Sequence, residues 1–225
     1  MTTSSKPSTR DEQWGGRLPL ARTGPLDRDQ RALRDELLSE IEPWARRSGF
    51  SAATQEGDLI GPFNAFVHRP GPGKMYLDWV RADENRSVLA APLREIIILT
   101  IGVAWKSDYE IYAHTAAARH VGVAETVIAA LLDGKPADQF STAEIAVHRF
   151  TVELVDARSV SDDTYQLALD AVGQTGVLDM VNLIGMYLAT SALLNAFQIP
   201  APPEERAWMH DDTVPRDWNG STAVS

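Results

Sequence analysis

Residues 91–120 carry the strongest fold signal in the chain, and they read APLREIIILTIGVAWKSDYEIYAHTAAARH. The first half is almost wholly apolar. Pro92 suits the first turn of a helix, because the amide hydrogen that proline lacks would have no partner there. The run at 96–99 could also form a buried strand, but the length of the segment favours a helix that ends near Trp105.

The second half of the same stretch predicts another helix. Asp108 is a plausible N-cap, because a short carboxylate side chain can accept a hydrogen bond from the free amides of the first turn. Apolar residues then recur at helical spacing over 109–120, and Gly122 follows as a stop signal. Two consecutive helices joined by a short turn are therefore expected at the centre of the chain.

The flanking sequence repeats this helical pattern. Ser141 begins the capping-box sequence S-T-A-E, and Ser161 is a second N-cap. Residues 69–73 contain two prolines and two glycines and predict a turn. We find no internal repeat and no strand alternation, so the predicted fold class is all-α. The expected helices, about eight, cover 26–48, 74–83, 92–105, 109–120, 124–133, 142–157, 162–174 and 177–197.

Composition and charge narrow the classes of function. The chain has 225 residues and 0 cysteines, which excludes disulfides, zinc–thiolate sites and cysteine nucleophiles. Its 21 basic against 31 acidic residues give a net charge of −10, so no nucleic-acid partner is expected. No glycine-rich phosphate loop follows a strand, which argues against nucleotide cofactors.

The ends of the chain predict tails around one domain. Residues 1–24 lack the apolar region of a secretory signal and are expected to be a flexible tail. We expect a single helical domain over 25–203, a C-terminal tail over 204–225, and a cytoplasmic protein. The charge-free stretch at 180–203 lacks flanking Lys and Arg, so we interpret it as a buried or subunit-interface helix, with no membrane association.

One helix face carries candidate chemistry. At 100° per residue, Ser107, Glu110 and His114 fall within an arc of about 60° on an otherwise apolar side. Arg119 and His120 fall on the opposite side and should face solvent. A carboxylate and an imidazole one turn apart are within reach of each other, and on an inward face they need partners or a pocket.

The preceding helix adds a third group. Glu95 projects on the same side as Ile98 and Leu99, so desolvation would raise its pKa and a nearby imidazolium would lower it. Two carboxylates and a histidine in an apolar setting form a plausible proton-transfer site. The alternative is a buried structural network in which Glu110 merely pairs with His114. A metal site is not indicated by the histidine spacings.

The chain resembles the carboxymuconolactone decarboxylase family, also called the AhpD-like family. The resemblance covers about residues 60–200. It rests on four motifs: GPFNAF at 61–66, LREIIIL at 93–99, Tyr109-Glu110 followed by His114, and LNAF at 194–197.

Redox members of this family carry the pattern E-x11-C-x2-C-x3-H, which places Glu95, Ser107, Glu110 and His114 at its four positions. Both cysteine positions are substituted here, so disulfide-based peroxidase chemistry is excluded. The decarboxylase branch is more similar, because it carries a Glu four residues before the His. That branch acts without a cofactor on a carboxylated lactone.

The resemblance implies an AhpD-like helical bundle that assembles as a trimer or hexamer. We expect residues 1–58, which lie outside the core of the resemblance, to act as a lid or an assembly arm. The leading hypothesis is a lyase or isomerase, without cofactor or metal, that acts on a small carboxylated or lactone-type molecule.

In this hypothesis His114 gives or takes the proton and Glu110 orients it. Glu95 is a second acid/base or keeps His114 protonated. One alternative is a non-catalytic helical oligomer that binds a hydrophobic small molecule or a protein. Another is a metal-dependent enzyme that uses the same three residues. The candidate substrate-binding residues are Phe63, Asn64, Trp105, Ser107, Tyr187 and Asn195.

Overall fold

The computed structural model describes residues 14–22, 24–135 and 139–202. Within these ranges the chain forms eight helices and no strand, which confirms the all-α prediction. The helices are α1 Arg28–Ser48, α2 Pro62–His68, α3 Pro70–Arg86, α4 Ala91–Trp105, α5 Asp108–His120, α6 Glu125–Leu132, α7 Thr142–Ala157 and α8 Asp162–Ala196.

Side-chain caps mark three of the eight described helix starts, those of α1, α7 and α8. The predicted capping box at Ser141 is present, with its side chain accepting from the amide of Glu144. Asp27 forms a second capping box at the start of α1. The N-cap of α5 is Ser107 rather than the predicted Asp108, and Ser107 makes no side-chain capping bond. The start of α5 therefore depends on its packing more than on its cap.

One predicted boundary was wrong. Residues 69–73 do not form a turn, because only Arg69 leaves the helical conformation and α3 begins at Pro70. Gly73 lies so close to α2 that a Cβ there would come within 2.6 Å of the Phe66 carbonyl oxygen. The break predicted near residue 175 is confirmed, because two helical segments of α8 meet at a kink at Gly173, where φ is +71°.

The centre of the main hydrophobic core is α4, which packs against α5, α6, α7 and α8. All residues from Ile96 to Gly102 are buried, so this helix is enclosed on every side. Burial of each large aliphatic side chain stabilises the fold by about 1.5–3 kcal/mol. The apolar run that resembled a strand in the sequence is thus the core helix of the bundle.

Residues 14–22 are packed, contrary to the prediction of a flexible tail over 1–24. The amide of Arg17 donates to the carbonyl of Phe197 at 2.7 Å. Asn64 accepts from the amide of Ala21 at 2.8 Å and donates to the carbonyl of Pro19 at 3.2 Å. The remaining part of that tail, at 1–13, and the predicted C-terminal tail at 204–225 lie outside the described residues.

Of the described helices, Asp162–Ala196 is the one long and apolar enough to cross a membrane, with a mean hydropathy of 1.6 over its best window. Core helices of soluble proteins also meet these criteria of length and composition. The kink at Gly173 divides the helix, and its contacts with α4 and α7 are those of a core element. The absence of membrane association stays a prediction.

Candidate functional site

A cavity of about 230 Å³ lies between α1, α2, α3, α5 and α8. Most of the surface of its wall is apolar, which is usual for a small-molecule site. Aromatic side chains from α1, α2, α3, α5, α8 and the loop after α1 contribute to it, and nine of the lining residues are polar. The apolar lining includes Ile41, Trp44, Phe50, Phe63, Phe66, Leu77, Val80 and Leu194. The polar lining comprises Glu40, Tyr76, Arg81, Glu84, Tyr109, Glu110, His114, Tyr187 and Thr190.

His114 lies in this wall and is held from behind by Glu95. Its Nδ1 is 2.9 Å from Oε2 of Glu95, and both side chains are nearly buried. A carboxylate at Nδ1 selects the tautomer whose Nδ1–H donates, which leaves Nε2 as the acceptor. The edge of the ring also packs against Tyr187, with centroids 4.9 Å apart. His114 is therefore fixed in orientation and in tautomer.

Glu110 does not pair with His114, so the predicted contact between these neighbouring turns was wrong. Ser191 on α8 donates to Oε2 of Glu110 at 2.8 Å, whereas Nδ1 of His114 is hydrogen-bonded to Glu95 on α4. The i,i+4 spacing permits a contact, but partners on other helices satisfy each side chain better. Glu95, and not Glu110, is the residue that orients His114.

The carboxyl group of Glu110 is buried without a cation. The residue is 2% exposed, and its Oε1 is buried with no hydrogen-bond partner. Burial raises the pKa of this carboxyl well above its usual range, although the Ser191 hydroxyl acts in the other direction. The N-terminal dipole of α5 favours the anion by at most about 2 kcal/mol. Desolvation costs an unpaired anion several kcal/mol, so burial favours the neutral acid form of Glu110.

Three tyrosines line the cavity, and two of them, Tyr76 and Tyr187, lie near His114 and Thr190. The hydroxyl of Tyr76 donates to the carbonyl of Met186 at 3.0 Å and also contacts the hydroxyl of Thr190. Burial is the main cause that raises the pKa values of Tyr76 and Tyr187 above the ordinary range. Both phenols therefore stay protonated and offer dipoles, not charges, to the cavity.

Two of the six predicted substrate-binding residues, Phe63 and Tyr187, line the cavity. Asn64 instead holds residues 19–21 against α2. Asn195 donates to the carbonyl of Trp105 at 2.7 Å and lines a second, more open cavity of about 500 Å³. Trp105 is 38% exposed.

Ser107 is buried with an unpartnered hydroxyl and is not part of the lining of either cavity. Several polar groups near the cavity were not predicted from the sequence. Thr190 and Ser191 lie in the charge-free stretch of α8. A polar residue on such a helix could have indicated a contact with the cavity or with a buried polar group. Glu84 and Tyr76 gave no comparable signal, because they lie on an ordinary amphipathic helix.

The geometry does not favour the metal-dependent alternative. No group of three potential metal-binding side chains comes together in the part of the chain that the structure describes. Glu95 and Glu110 each hydrogen-bond to a different protein partner, as described above. A hard cation needs several oxygen ligands around one point, and this arrangement separates them.

Comparison with known proteins places this geometry in a family context. Residues 74–153, which contain Glu95, Glu110 and His114, match the model of the carboxymuconolactone decarboxylase family. No curated protein matches the chain.

Among solved structures, an uncharacterized peroxidase-related protein from Ralstonia eutropha JMP134, described as an alkylhydroperoxidase AhpD core, has a TM-score of 0.67 at 16% identity. The match covers 84% of this chain and 93% of that one. A peroxidase-related protein from Silicibacter sp. TM1040 has a TM-score of 0.65 at 13% identity, covering 88% and 97%.

A protein of unknown function from Agrobacterium tumefaciens, described as a putative antioxidant defence protein AhpD, has a TM-score of 0.56 at 13% identity, covering 62% and 96%. At these identities the likeness concerns the fold alone. The central part of the chain thus resembles the carboxymuconolactone decarboxylase family in sequence, and the described helices have the AhpD-like fold.

Proposed function

We propose that the protein is a cofactor-independent lyase or isomerase that transfers protons on a small lactone-type or carboxylated substrate. The observation that carries this proposal is that His114 lies in the wall of a largely apolar cavity while its Nδ1 is hydrogen-bonded to Glu95. A histidine with one nitrogen held by a carboxylate and the other free is suited to general acid–base catalysis. No thiol is available for peroxide chemistry, since the chain has 0 cysteines.

The three polar residues have distinct roles in this proposal. His114 moves the proton through Nε2, and Glu95 is a positioning residue that stabilises the imidazolium formed during the reaction. Glu110 is a neutral acid that faces the same cavity. This division replaces the hypothesis in which Glu110 orients His114.

A non-catalytic binding protein is the competing hypothesis. The unpartnered Oε1 of Glu110 supports the enzyme, because a buried polar atom without a partner destabilises the fold by about 1–3 kcal/mol and is commonly explained by function. A purely structural network would satisfy both oxygens. The binding hypothesis predicts that the protein has no catalytic effect on its ligand.

The test measures, by NMR in D2O, how fast the protein exchanges carbon-bound protons of small lactones and unsaturated carbonyl compounds for deuterium. Glu95→Gln should lower the exchange rate roughly 10²-fold and change the 15N signature of the His114 tautomer. His120→Gln is the matched control, because His120 is an exposed histidine on the same helix. Exchange that is equal in all three proteins would refute the enzyme and leave the binding hypothesis.

We further propose that the chain assembles into a homo-oligomer, a trimer or a hexamer. An apolar stripe runs along the outer face of α8, where Leu178 is 64% and Val181 is 46% exposed. Exposed stripes of this kind commonly mark protein interfaces. Light scattering should give a mass of three or six chains, and Val181→Glu should reduce it. A wild-type mass near 24.7 kDa would refute the assembly.

A further inference from the structure

We infer that the substrate is an uncharged, largely apolar carbonyl compound whose carbonyl oxygen is bound by the carboxylic acid of Glu110, and that the reaction is carbon-to-carbon proton transfer rather than loss of CO2. This inference rests on the proposed function. It narrows the substrate class, because a molecule that decarboxylates must first bring a carboxylate into the cavity.

The charges around the cavity exclude a carboxylate. Among the described residues that line it, three carry carboxyl groups, Glu40, Glu84 and Glu110, and one is a permanent cation, Arg81. The guanidinium of Arg81 is already engaged by Glu40, by Glu36 at 2.7 Å and by Asp78 at 3.0 Å.

Arg94 and His114 are also paired with carboxylates. Arg94 pairs with the buried Asp83 at 2.6 Å, and Asp83 in turn accepts from Asn182 at 2.9 Å. The carboxylate of Glu95 lies beside His114 and neutralises any positive charge on the imidazole. A substrate carboxylate would therefore lose its hydration without gaining a cation, which costs several kcal/mol.

A neutral carbonyl group finds a suitable partner in Glu110. The hydroxyl of Ser191 donates to Oε2, so a proton on this carboxyl group lies on Oε1, which has no protein partner. Oε1 has almost no accessible surface, so we infer that a small rotation of the Glu110 side chain brings it to the cavity that this residue lines. An acid oriented in this way donates one hydrogen bond to a carbonyl oxygen. The bond strengthens as negative charge develops on that oxygen, and this differential stabilisation is what accelerates a reaction.

The proposed step conserves all atoms and needs no co-reactant. For a β,γ-unsaturated ketone or lactone, Nε2 of His114 removes the α-proton, and the C–H electron pair becomes a C=C bond to the carbonyl carbon. The carbonyl π pair moves to the oxygen, which Glu110 holds. Nε2–H then returns the proton to the γ-carbon, the carbonyl re-forms, and both residues recover their starting protonation states.

The apolar walls suit such a substrate. Phe63, Phe66 and Trp44 surround the polar groups, so the carbon skeleton meets aromatic surface while one oxygen meets Glu110. A dry environment also keeps the Glu110 acid neutral and strengthens its hydrogen bond to the developing enolate.

The experiment compares a β,γ-unsaturated cyclic ketone with a matched compound that carries a carboxylate at the ring. Isomerisation is followed by the absorbance of the conjugated product, and CO2 release is measured in parallel. We expect the wild type to isomerise the ketone at least 10-fold more efficiently, in kcat/KM, than the acid. Glu84→Gln should narrow this ratio by removing a negative charge at the cavity.

Two substitutions at Glu110 separate a neutral acid from a base. Glu110→Leu removes the donor and should lower kcat roughly 10²–10³-fold. Glu110→Gln keeps a neutral donor and should retain at least 10-fold more activity than the Leu variant. Equal loss in both folded variants, as judged by circular dichroism, would overturn the assignment of Glu110 as a neutral acid.

The outcomes also separate this inference from the proposed function. CO2 release from the acid with no isomerisation of the ketone would overturn the inference and leave an acid–base enzyme. Absence of both reactions, and of deuterium exchange into either compound, would overturn the proposed function as well.

Discussion

Two buried histidines, His114 on α5 and His148 on α7, show how similar burial can serve different ends. They are 8% and 7% exposed. His114 pairs with Glu95 in a cavity wall, whereas His148 packs edge-on against Phe140 with centroids 5.5 Å apart. Burial lowers the pKa of His148 to about 4, so it is a neutral packing group at pH 7.

Burial of a titratable group therefore does not by itself indicate a catalytic role. A carboxylate partner and an accessible cavity distinguish His114 from a histidine of equal exposure. The same contrast holds between the two regions: the cavity contains several convergent polar groups, while the core around α4, α6 and α7 is almost entirely aliphatic and aromatic.

The largest expected effect separates the two histidines by activity. His114→Ala should lower kcat/KM on the true substrate roughly 10²–10⁴-fold, because it removes the proton-transfer group. His148→Phe should leave kcat/KM within a few fold, since that ring lies outside the cavity. Steady-state kinetics on both proteins tests this. If the two variants lose the same activity, the distinction between the regions is wrong.

The next effect concerns stability in acid. His148 takes up a proton with a pKa of 6.5 when unfolded but only at about 4 when folded. Its contribution is therefore fully present above pH 6.5 and is lost as the pH falls through 4. The loss approaches roughly 3 kcal/mol at about 1.4 kcal/mol per pH unit.

His148→Phe should flatten this part of the pH dependence, as measured by urea unfolding between pH 7 and 4. A slope identical to that of the wild type would mean that the ring is hydrated in the folded protein. The exposed His120 is a suitable control, since its substitution should leave the slope unchanged.

A third effect, of comparable size, has the opposite sign and tests the cavity. The folded pKa of Glu110 is raised above its unfolded value of 4.5, so its contribution is fully present below pH 4.5 and is lost as the pH rises toward the folded pKa. Glu110→Gln should therefore gain stability relative to the wild type by up to about 1.4 kcal/mol per pH unit above 4.5.

Urea unfolding of both proteins between pH 4 and 8 measures this difference. A variant that tracks the wild type at constant offset would show that Glu110 is ionised in the folded state. That result would also remove the neutral donor on which the substrate inference depends.

Much of the fold could be predicted, because helix signals are local. Pro92, Ser141 and Gly122 act within one or two turns of their own positions, and the predicted helices at 92–105 and 142–157 are confirmed. The wrong prediction at residues 69–73 also has a local reason. The Pro-Gly run at 69–73 was read as a turn, but Pro70 is compatible with the first turn of a helix.

The candidate site could be predicted as a set of residues but not as a set of contacts. The inward face of α5 was confirmed, with Glu110 and His114 buried and Arg119 and His120 exposed. The substrate-binding predictions were weaker, because Asn64 and Asn195 are polar residues that tie segments together. Nothing in the sequence distinguishes such a tie from a ligand contact.

The sequence by itself determined that the protein is helical, that it lacks thiol chemistry, and that one helix face carries an acid and an imidazole. Only the tertiary structure decided which groups pair. Glu95 is 19 residues from His114, and Ser191 is 81 residues from Glu110. Helical spacing indicates which side chains of one helix are close enough to contact each other. The choice of partner depends on neighbours from other helices, whose positions are set by the packing of the whole core.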